Sequence, residues 1–314
     1  MPEQIHHVPV TGPLDEAGSV LARPPLCAPV GGRTARRATV LGSPVSHSRS
    51  PDLHLAAYRA LGLEDWTYTR RECTAADLPG VVAAAPAEQI GFSVTMPNKL
   101  AALAVADERT ERAVLVGSAN TLVRTVTGWR ADCTDIDGMT GALEHLGVAA
   151  NVVGGDLPDS AVLVGAGGTA LPSVAALAAV GIGELTVVAR SAQRAADVLT
   201  LARDLGMSVQ VADFASTDDL SRRCRDAAVA VSTVPASATT PVIDAVSGSA
   251  RLVDVIYDPW PTPLATAVRA AGGRVAGGLV MLLNQAFSQV EQFTGLPAPR
   301  TVMAEVFAGA DAAS

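Results

Sequence analysis

Lysine is almost missing from this sequence. Of its 314 residues 23 are Lys or Arg, and Lys99 is the single lysine. Arginine carries charge and forked hydrogen bonds, but it cannot exchange a proton near neutrality. Lysine can be tuned to do so by burial and by its neighbours. A lone lysine in an arginine-biased chain therefore reads as a place where arginine cannot serve, the alternative being a chance surface lysine. Cysteine is scarce as well. Cys27, Cys73, Cys133 and Cys224 are widely spaced and form no C-x-x-C pair, which excludes a metal knuckle or redox motif and reads as free thiols in a reducing compartment. A basic surplus is also absent. The net charge of -8 leaves nothing to displace counterions, so no nucleic-acid partner is expected. No basic start followed by an apolar run opens the chain, so no leader is expected and a cytoplasmic location is. The uncharged stretch Ser160–Gly183 holds Gly165, Gly167, Gly168 and Pro172 near its start. That composition suits a strand, a turn and a helix rather than a membrane span.

What is present is enough for a sizeable core: 49% hydrophobic and 17% charged residues over a length that suits two domains. Residues 1–37 are rich in Pro, Gly and Ala without periodicity and read as a flexible extension. A buried strand is expected at Arg37–Gly42, followed by a Ser/Pro-rich loop, with Ser50 as helix cap and Pro51 opening the helix. Strands at 66–70 and 90–95, helices at 75–84 and 100–106, and a hairpin at 121–131 continue an α/β pattern. Thr134-Asp135-Ile136-Asp137-Gly138 then leads into a helix over 139–146. From Ser160 onward short apolar strands alternate with helices, which implies a parallel sheet covered on both faces. The expected architecture is two α/β domains separated by a cleft, an N-terminal one, 38–137, completed by 279–314, and a Rossmann-like nucleotide-binding one, 138–278.

Two segments of the second half bear chemistry. Gly165-Ala166-Gly167-Gly168-Thr169 turns a strand straight into a helix, leaving free backbone N–H groups and a helix dipole for a phosphate. At the end of the next strand the chain reads Ala189-Arg190-Ser191-Ala192-Gln193-Arg194. A carboxylate there would take the ribose hydroxyls of NAD. Instead Arg190 and Arg194 offer charge, and Ser191 a donor, where the 2′-phosphate of NADP would sit. The alternative is an ordinary solvated arginine pair.

Further motifs stand in a fixed order: His47-Ser48-Arg49-Ser50-Pro51, Ser93-Val94-Thr95-Met96-Pro97-Asn98-Lys99, Ala119-Asn120-Thr121-Leu122, Thr134-Asp135, the glycine loop, Asp254-Val255-Ile256-Tyr257-Asp258-Pro259 and Gly278-Leu279-Val280-Met281-Leu282-Leu283-Asn284-Gln285-Ala286. Together they resemble the shikimate dehydrogenases, over about residues 38–297. The resemblance implies reversible NADPH-dependent reduction of 3-dehydroshikimate to shikimate, a step toward chorismate and the aromatic amino acids. It implies that Ser48 and Ser50 bind the substrate carboxylate, and that Thr95, Asn120, Tyr257 and Gln285 bind ring hydroxyls and carboxylate. Lys99 and Asp135 would be the catalytic pair, and Thr233, Val255, Gly278 and Met281 would line the nicotinamide end. Without the resemblance, Asp135 also reads as a helix N-cap and Tyr257 as a core aromatic. His47 reads as a loop-shaping residue.

Two positions depart from the family pattern. Ser93 and Cys133 stand where asparagine is usual, which puts one ring contact or loop bond in doubt. The rivals are a quinate/shikimate dehydrogenase that prefers NAD and a non-catalytic NADPH-binding regulator. A methylene-tetrahydrofolate dehydrogenase is disfavoured because no Tyr-x-x-x-Lys precedes the nucleotide half. No metal and no membrane partner are expected, and the protein is expected as a monomer or homodimer.

Overall fold

The computed structural model describes residues 35–308. The expected N-terminal extension therefore lies outside the described residues up to position 34, as does the tail from 309. The first half contains β1 (Arg37–Gly42), α1 (Ser50–Ala60), β2 (Thr67–Glu72), α2 (Leu78–Ala83), β3 (Gln89–Val94), α3 (Lys99–Val105), β4 (Glu108–Arg109), α4 (Glu111–Leu115), β5 (Thr121–Arg124), β6 (Trp129–Asp132) and α5 (Asp135–His145). The second contains β7 (Ser160–Val164), α6 (Ala170–Ala179), β8 (Glu184–Ala189), α7 (Ala192–Asp204), β9 (Ser208–Asp213), α8 (Asp218–Asp226), β10 (Val229–Ser232), α9 (Ile243–Val246), β11 (Arg251–Asp254), α10 (Pro263–Ala270) and β12 (Arg274–Ala276). Helices α11 (Gly278–Thr294) and α12 (Arg300–Glu305) close the described chain.

The strands form two six-stranded sheets. The first has the order β2-β1-β3-β5-β6-β4. Strand β5 runs antiparallel to both β3 and β6, while β1 and β3 are parallel. One edge of this sheet therefore receives the C-terminal ends of β1, β3 and β6 and the N-terminal end of β5. The segments bearing Ser48, Lys99, Asp135 and Asn120 all start or finish on that edge. The second sheet is parallel throughout, in the order β12-β11-β10-β7-β8-β9. This is the doubly wound dinucleotide order, whose ligand crevice opens beyond the strand C-termini where the winding reverses, here between β7 and β10.

Both faces of β7 are buried, which explains why it reads as a continuous apolar run. Ala161 and Leu163 pack with α5 and α6 residues such as Leu143 and Leu177. Val162 and Val164 pack on the other face with Leu220, Cys224 and Leu264. Helix α6 is buried along most of its length, so the uncharged 160–183 stretch is the core of the second sheet. Among the described residues no helix is long and apolar enough to cross a membrane.

Helices α5 and α11 connect the two sheets and pack on each other. Gly138 and Gly141 face α11: a Cβ at either would lie 2.7 Å from the Met281 carbonyl oxygen or 2.1 Å from the Asn284 side chain. Missing side chains thus set the close approach of the two crossing helices.

Three local expectations are corrected. Ser50 is the first residue of α1 rather than its cap. Arg49 is the cap residue, and its own side chain does not bond the helix N-terminus. The Ser48 hydroxyl instead accepts from the Ser50 N–H at 3.4 Å, and both serines also line the cleft. Strand β4 and helix α4 were not expected, because short, charged Glu108–Arg109 carries no period. The helix expected over 139–146 begins at Asp135, with Thr134 as its cap.

Candidate active site

Lys99 is the first residue of α3, reached from β3 through the turn 95–98. Buried Asn98 pins that turn: its side chain donates to the Cys73 carbonyl at 2.8 Å, and its N–H donates to the Thr95 carbonyl at 3.0 Å. The Lys99 carbonyl accepts the Ala119 N–H at 3.0 Å. So held, the Lys99 Nζ donates to Asp135 Oδ2 at 2.6 Å, with the two side chains 13% and 5% exposed. A charge-assisted bond this short and this sheltered is among the stronger polar contacts a protein makes.

Asn120, just before β5, has its amide orientation set by its surroundings. Its Oδ1 accepts the Thr134 N–H at 2.7 Å and the hydroxyls of Thr121 and Thr134. Its Nδ2 must therefore face outward, and it donates to Gln285 Oε1 at 2.8 Å. This leaves the Gln285 amine as a donor.

A second chain of bonds lies behind the serine loop. The Tyr68 hydroxyl donates to Ser93 Oγ at 2.6 Å, and Ser93 donates to Gln289 Oε1 at 2.7 Å. Gln289 Nε2 donates to the Asn120 carbonyl and to Thr121 Oγ1. His54 Nε2 lies 3.3 Å from Gln289 Oε1. That oxygen can only accept, so the ring proton sits on Nε2. Burial lowers the His54 pKa to about 3, against the opposing bond to Gln289, so this histidine is neutral. Burial raises Tyr68 well above the usual tyrosine range, against the bonds to Ser93 and Ser50, so it stays a donor. Ser93 is thus satisfied in this relay.

Cys133 lies in the core with Val116, Ile136 and Met139. Its thiol is pushed up first by burial and then by Asp135, so it is a neutral, apolar filler. The backbone beside it keeps the bond from the Thr134 N–H to Asn120.

These residues open on a cleft of about 150 Å³ between the two sheets. Ser48, Ser50, Thr95, Lys99, Asn120, Asp135, Tyr257 and Gln285 all line it, and so do Thr169, Val255, Gly278 and Met281 from the nucleotide side. The sequence reading missed Gln289 and gave His47 only a loop role, yet both line the cleft. The His47 ring stands 6.3 Å from that of Tyr257. Burial, then the charge of Asp258, raises the Tyr257 hydroxyl above its ordinary range.

The remaining candidates lie along the C-terminal edge of the second sheet. Gly165 follows β7 with φ of 107°. A Cβ there would meet Thr233 Oγ1 and Val234 Cγ1 at 2.6 Å, so only glycine fits. Thr233, following β10, donates its N–H and hydroxyl to the Val164 carbonyl at 2.9 and 3.1 Å. Above Gly167 and Gly168 an added Cβ would meet nothing within 4 Å. With Ala166 and Thr169 they form an open cradle at the start of α6, which fits a pyrophosphate. Arg190 and Arg194 are exposed beyond β8, and Ser191 caps α7 by accepting the Arg194 N–H at 3.3 Å. The Arg190 guanidinium stands 5.9 Å from the Phe214 ring. Asp213 ends the neighbouring strand, across from Ala189. These groups fit an NADP 2′-phosphate, with no carboxylate on the Arg190–Arg194 turn itself.

A second hollow, of about 200 Å³, is lined by Ser160, Glu184, Ser208, Arg222 and Arg223 at the opposite ends of the same strands. It lies on the side of a doubly wound sheet away from its ligand crevice. Among the described residues no three His, Cys, Asp or Glu side chains are grouped to hold a metal ion.

Known proteins resemble the chain along most of its length. Residues 40–122 match the shikimate dehydrogenase substrate binding domain, and residues 278–306 match the shikimate 5'-dehydrogenase C-terminal domain. A Microcystis aeruginosa shikimate dehydrogenase (NADP(+)) is 34% identical over 276 residues, covering 85% of this chain and 94% of that one. The crystal structure of Mycobacterium tuberculosis shikimate dehydrogenase is 54% identical with a TM-score of 0.80, covering 87% and 99% of the two chains. The Thermus thermophilus shikimate 5-dehydrogenase structure with NADP(H) and shikimate is 28% identical with a TM-score of 0.69, covering 86% and 98%. With its sequence and its fold thus shared over more than four fifths of its length, the chain belongs to the shikimate dehydrogenase family.

Proposed function

We propose that the protein catalyses the reversible NADPH-dependent reduction of 3-dehydroshikimate to shikimate, in the pathway to the aromatic amino acids. The observation that carries this reading is the Lys99–Asp135 bond of 2.6 Å, set in a cleft ringed by hydroxyl and amide groups. The division into a substrate unit, 38–137 with 279–314, and a cofactor unit, 138–278, belongs to the same proposal.

Ser48 and Ser50 donate to the substrate carboxylate. Thr95, Asn120, Gln285 and Tyr257 hold the ring oxygens, so that the ketone faces Lys99. Reduction adds a hydride to the carbonyl carbon and a proton to its oxygen. Bound NADPH supplies the hydride. The Lys99 ammonium polarises the carbonyl and gives up the proton as charge develops on the oxygen. Asp135 keeps the amine aimed and holds the neighbouring ring hydroxyl. Solvent can then restore the proton, since Lys99 is partly exposed. Gly165, Ala166, Gly167, Gly168 and Thr169 take the pyrophosphate. Thr233, Val255, Gly278 and Met281 border the nicotinamide.

Cofactor choice rests on Arg190 and Arg194, with Ser191. A hydrogen bond to a charged group contributes about 1.5–3 kcal/mol, so Arg190→Ala should raise the KM for NADPH by about 10- to 100-fold and leave that for NADH nearly unchanged. Steady-state rates with shikimate and quinate, each paired with both cofactors, test this and the activity together. Equal effects of the substitution on both cofactors would count against the NADP assignment. Faster turnover of quinate with NAD would favour the rival dehydrogenase.

A further inference from the structure

One buried charged cluster has no part in the mechanism so far. Arg112, on α4, is fully buried. Its Nε and Nη2 donate to the two carboxylate oxygens of Asp132 at 2.8 and 2.5 Å, and its Nη1 donates to Asp137 Oδ1 at 3.0 Å. Asp132 also accepts from Thr110 and from Gln292 of α11, each at 2.7 Å. Burying such a group is costly, and an apolar cluster of equal volume often serves stability as well or better.

The placement of the cluster supplies a reason. Asp132 ends β6 and Asp137 lies in the first turn of α5, so one guanidinium holds a carboxylate on each side of Asp135 in the chain. That turn has no side-chain cap of its own, because the Thr134 hydroxyl is committed to Asn120 and Thr121. We propose that Arg112 is a positioning residue for the reaction, clamping Asp132 and Asp137 so that Asp135 stays against Lys99. The planar fork is needed, since lysine would satisfy one carboxylate and release the other.

The inference rests on Lys99 and Asp135 being the reacting pair. The test compares R112K, D135N and the double variant, with shikimate and NADP+. Because small misplacements at a reacting centre are amplified in rate, R112K should lower kcat by about 10- to 100-fold with little change in the KM for NADP+. In the D135N background R112K should lower the residual kcat by less than about 2-fold, as expected for residues acting through one another. Equal losses in both backgrounds, or an unchanged kcat in R112K, would overturn the clamp while leaving the pair intact. An unchanged kcat in D135N would remove the pair and the clamp together. Should R112K fail to fold, D137N decides, because it loosens one anchor and keeps the Arg112–Asp132 fork. It should lower kcat and be non-additive with D135N, and additivity overturns the proposal.

Discussion

Lys99→Ala should lower turnover with shikimate by about two to four orders of magnitude, the usual worth of general acid–base catalysis, while NADP+ still binds. The size of the loss follows from what remains in the cleft. Asp135 accepts the bond from Lys99 and has no proton to offer as the pair stands. The Tyr257 hydroxyl is raised above its ordinary range by burial and holds its proton more tightly. Arginine cannot act instead, so Lys99→Arg should fail to restore turnover although it keeps the charge. The same restriction accounts for the only lysine in a chain that otherwise uses arginine for every basic side chain of that kind. Steady-state kinetics combined with titration of NADP+ binding separates the loss of chemistry from a loss of fold. A variant that bound NADP+ and kept most of its turnover would refute the role given to the amine.

Gln285→Glu should raise the KM for shikimate by about 100-fold with a much smaller change in kcat. Asn120 is locked by the backbone N–H of Thr134, so its amine faces Gln285 Oε1 and the Gln285 amine is the end left to donate. A carboxylate at 285 would still accept from Asn120 but could no longer donate to a ring oxygen. It would also place a negative charge in a cleft that receives a carboxylate substrate. Losing a donor in a site built for one costs about 1–3 kcal/mol, and the added repulsion brings the total to the two decades expected. A collapse in kcat at constant KM would instead place Gln285 with the reacting atoms.

The parts of this site that the sequence made legible are those tied to strand ends. A glycine loop after a short apolar strand, and a basic turn after the next, can be placed because a parallel sheet brings successive strand C-termini to one edge. Gly165, Thr233 and Val255 stand on that edge. The substrate half was legible chiefly through its motifs, because its mixed sheet brings Asn120 to the site from the opposite strand direction. Periodicity missed the two-residue β4 and placed the start of α5 too late, since Asp135 and Asp137 are polar residues buried by partners rather than by hydropathy. Gln289, Tyr68 and Arg112 were missed for the same reason. Each is satisfied by residues far away in sequence, Gln289 by Ser93 and Arg112 by Asp132, and no local pattern marks such a bond. Ser50 misled because serine before proline is a good helix-start signal, and here the serine faces the cleft.

The central claim is that the substrate alcohol and the nicotinamide meet in the cleft beside Lys99. The most direct measurement uses shikimate carrying deuterium on the carbon whose hydroxyl is oxidised, incubated with the purified protein and NADP+, followed by mass analysis of the reduced cofactor. The account predicts that the reduced cofactor carries the deuterium and that its formation slows by about two to four orders of magnitude with Lys99→Ala. Reduced cofactor without the label, or no reduction with both ligands bound, would contradict it.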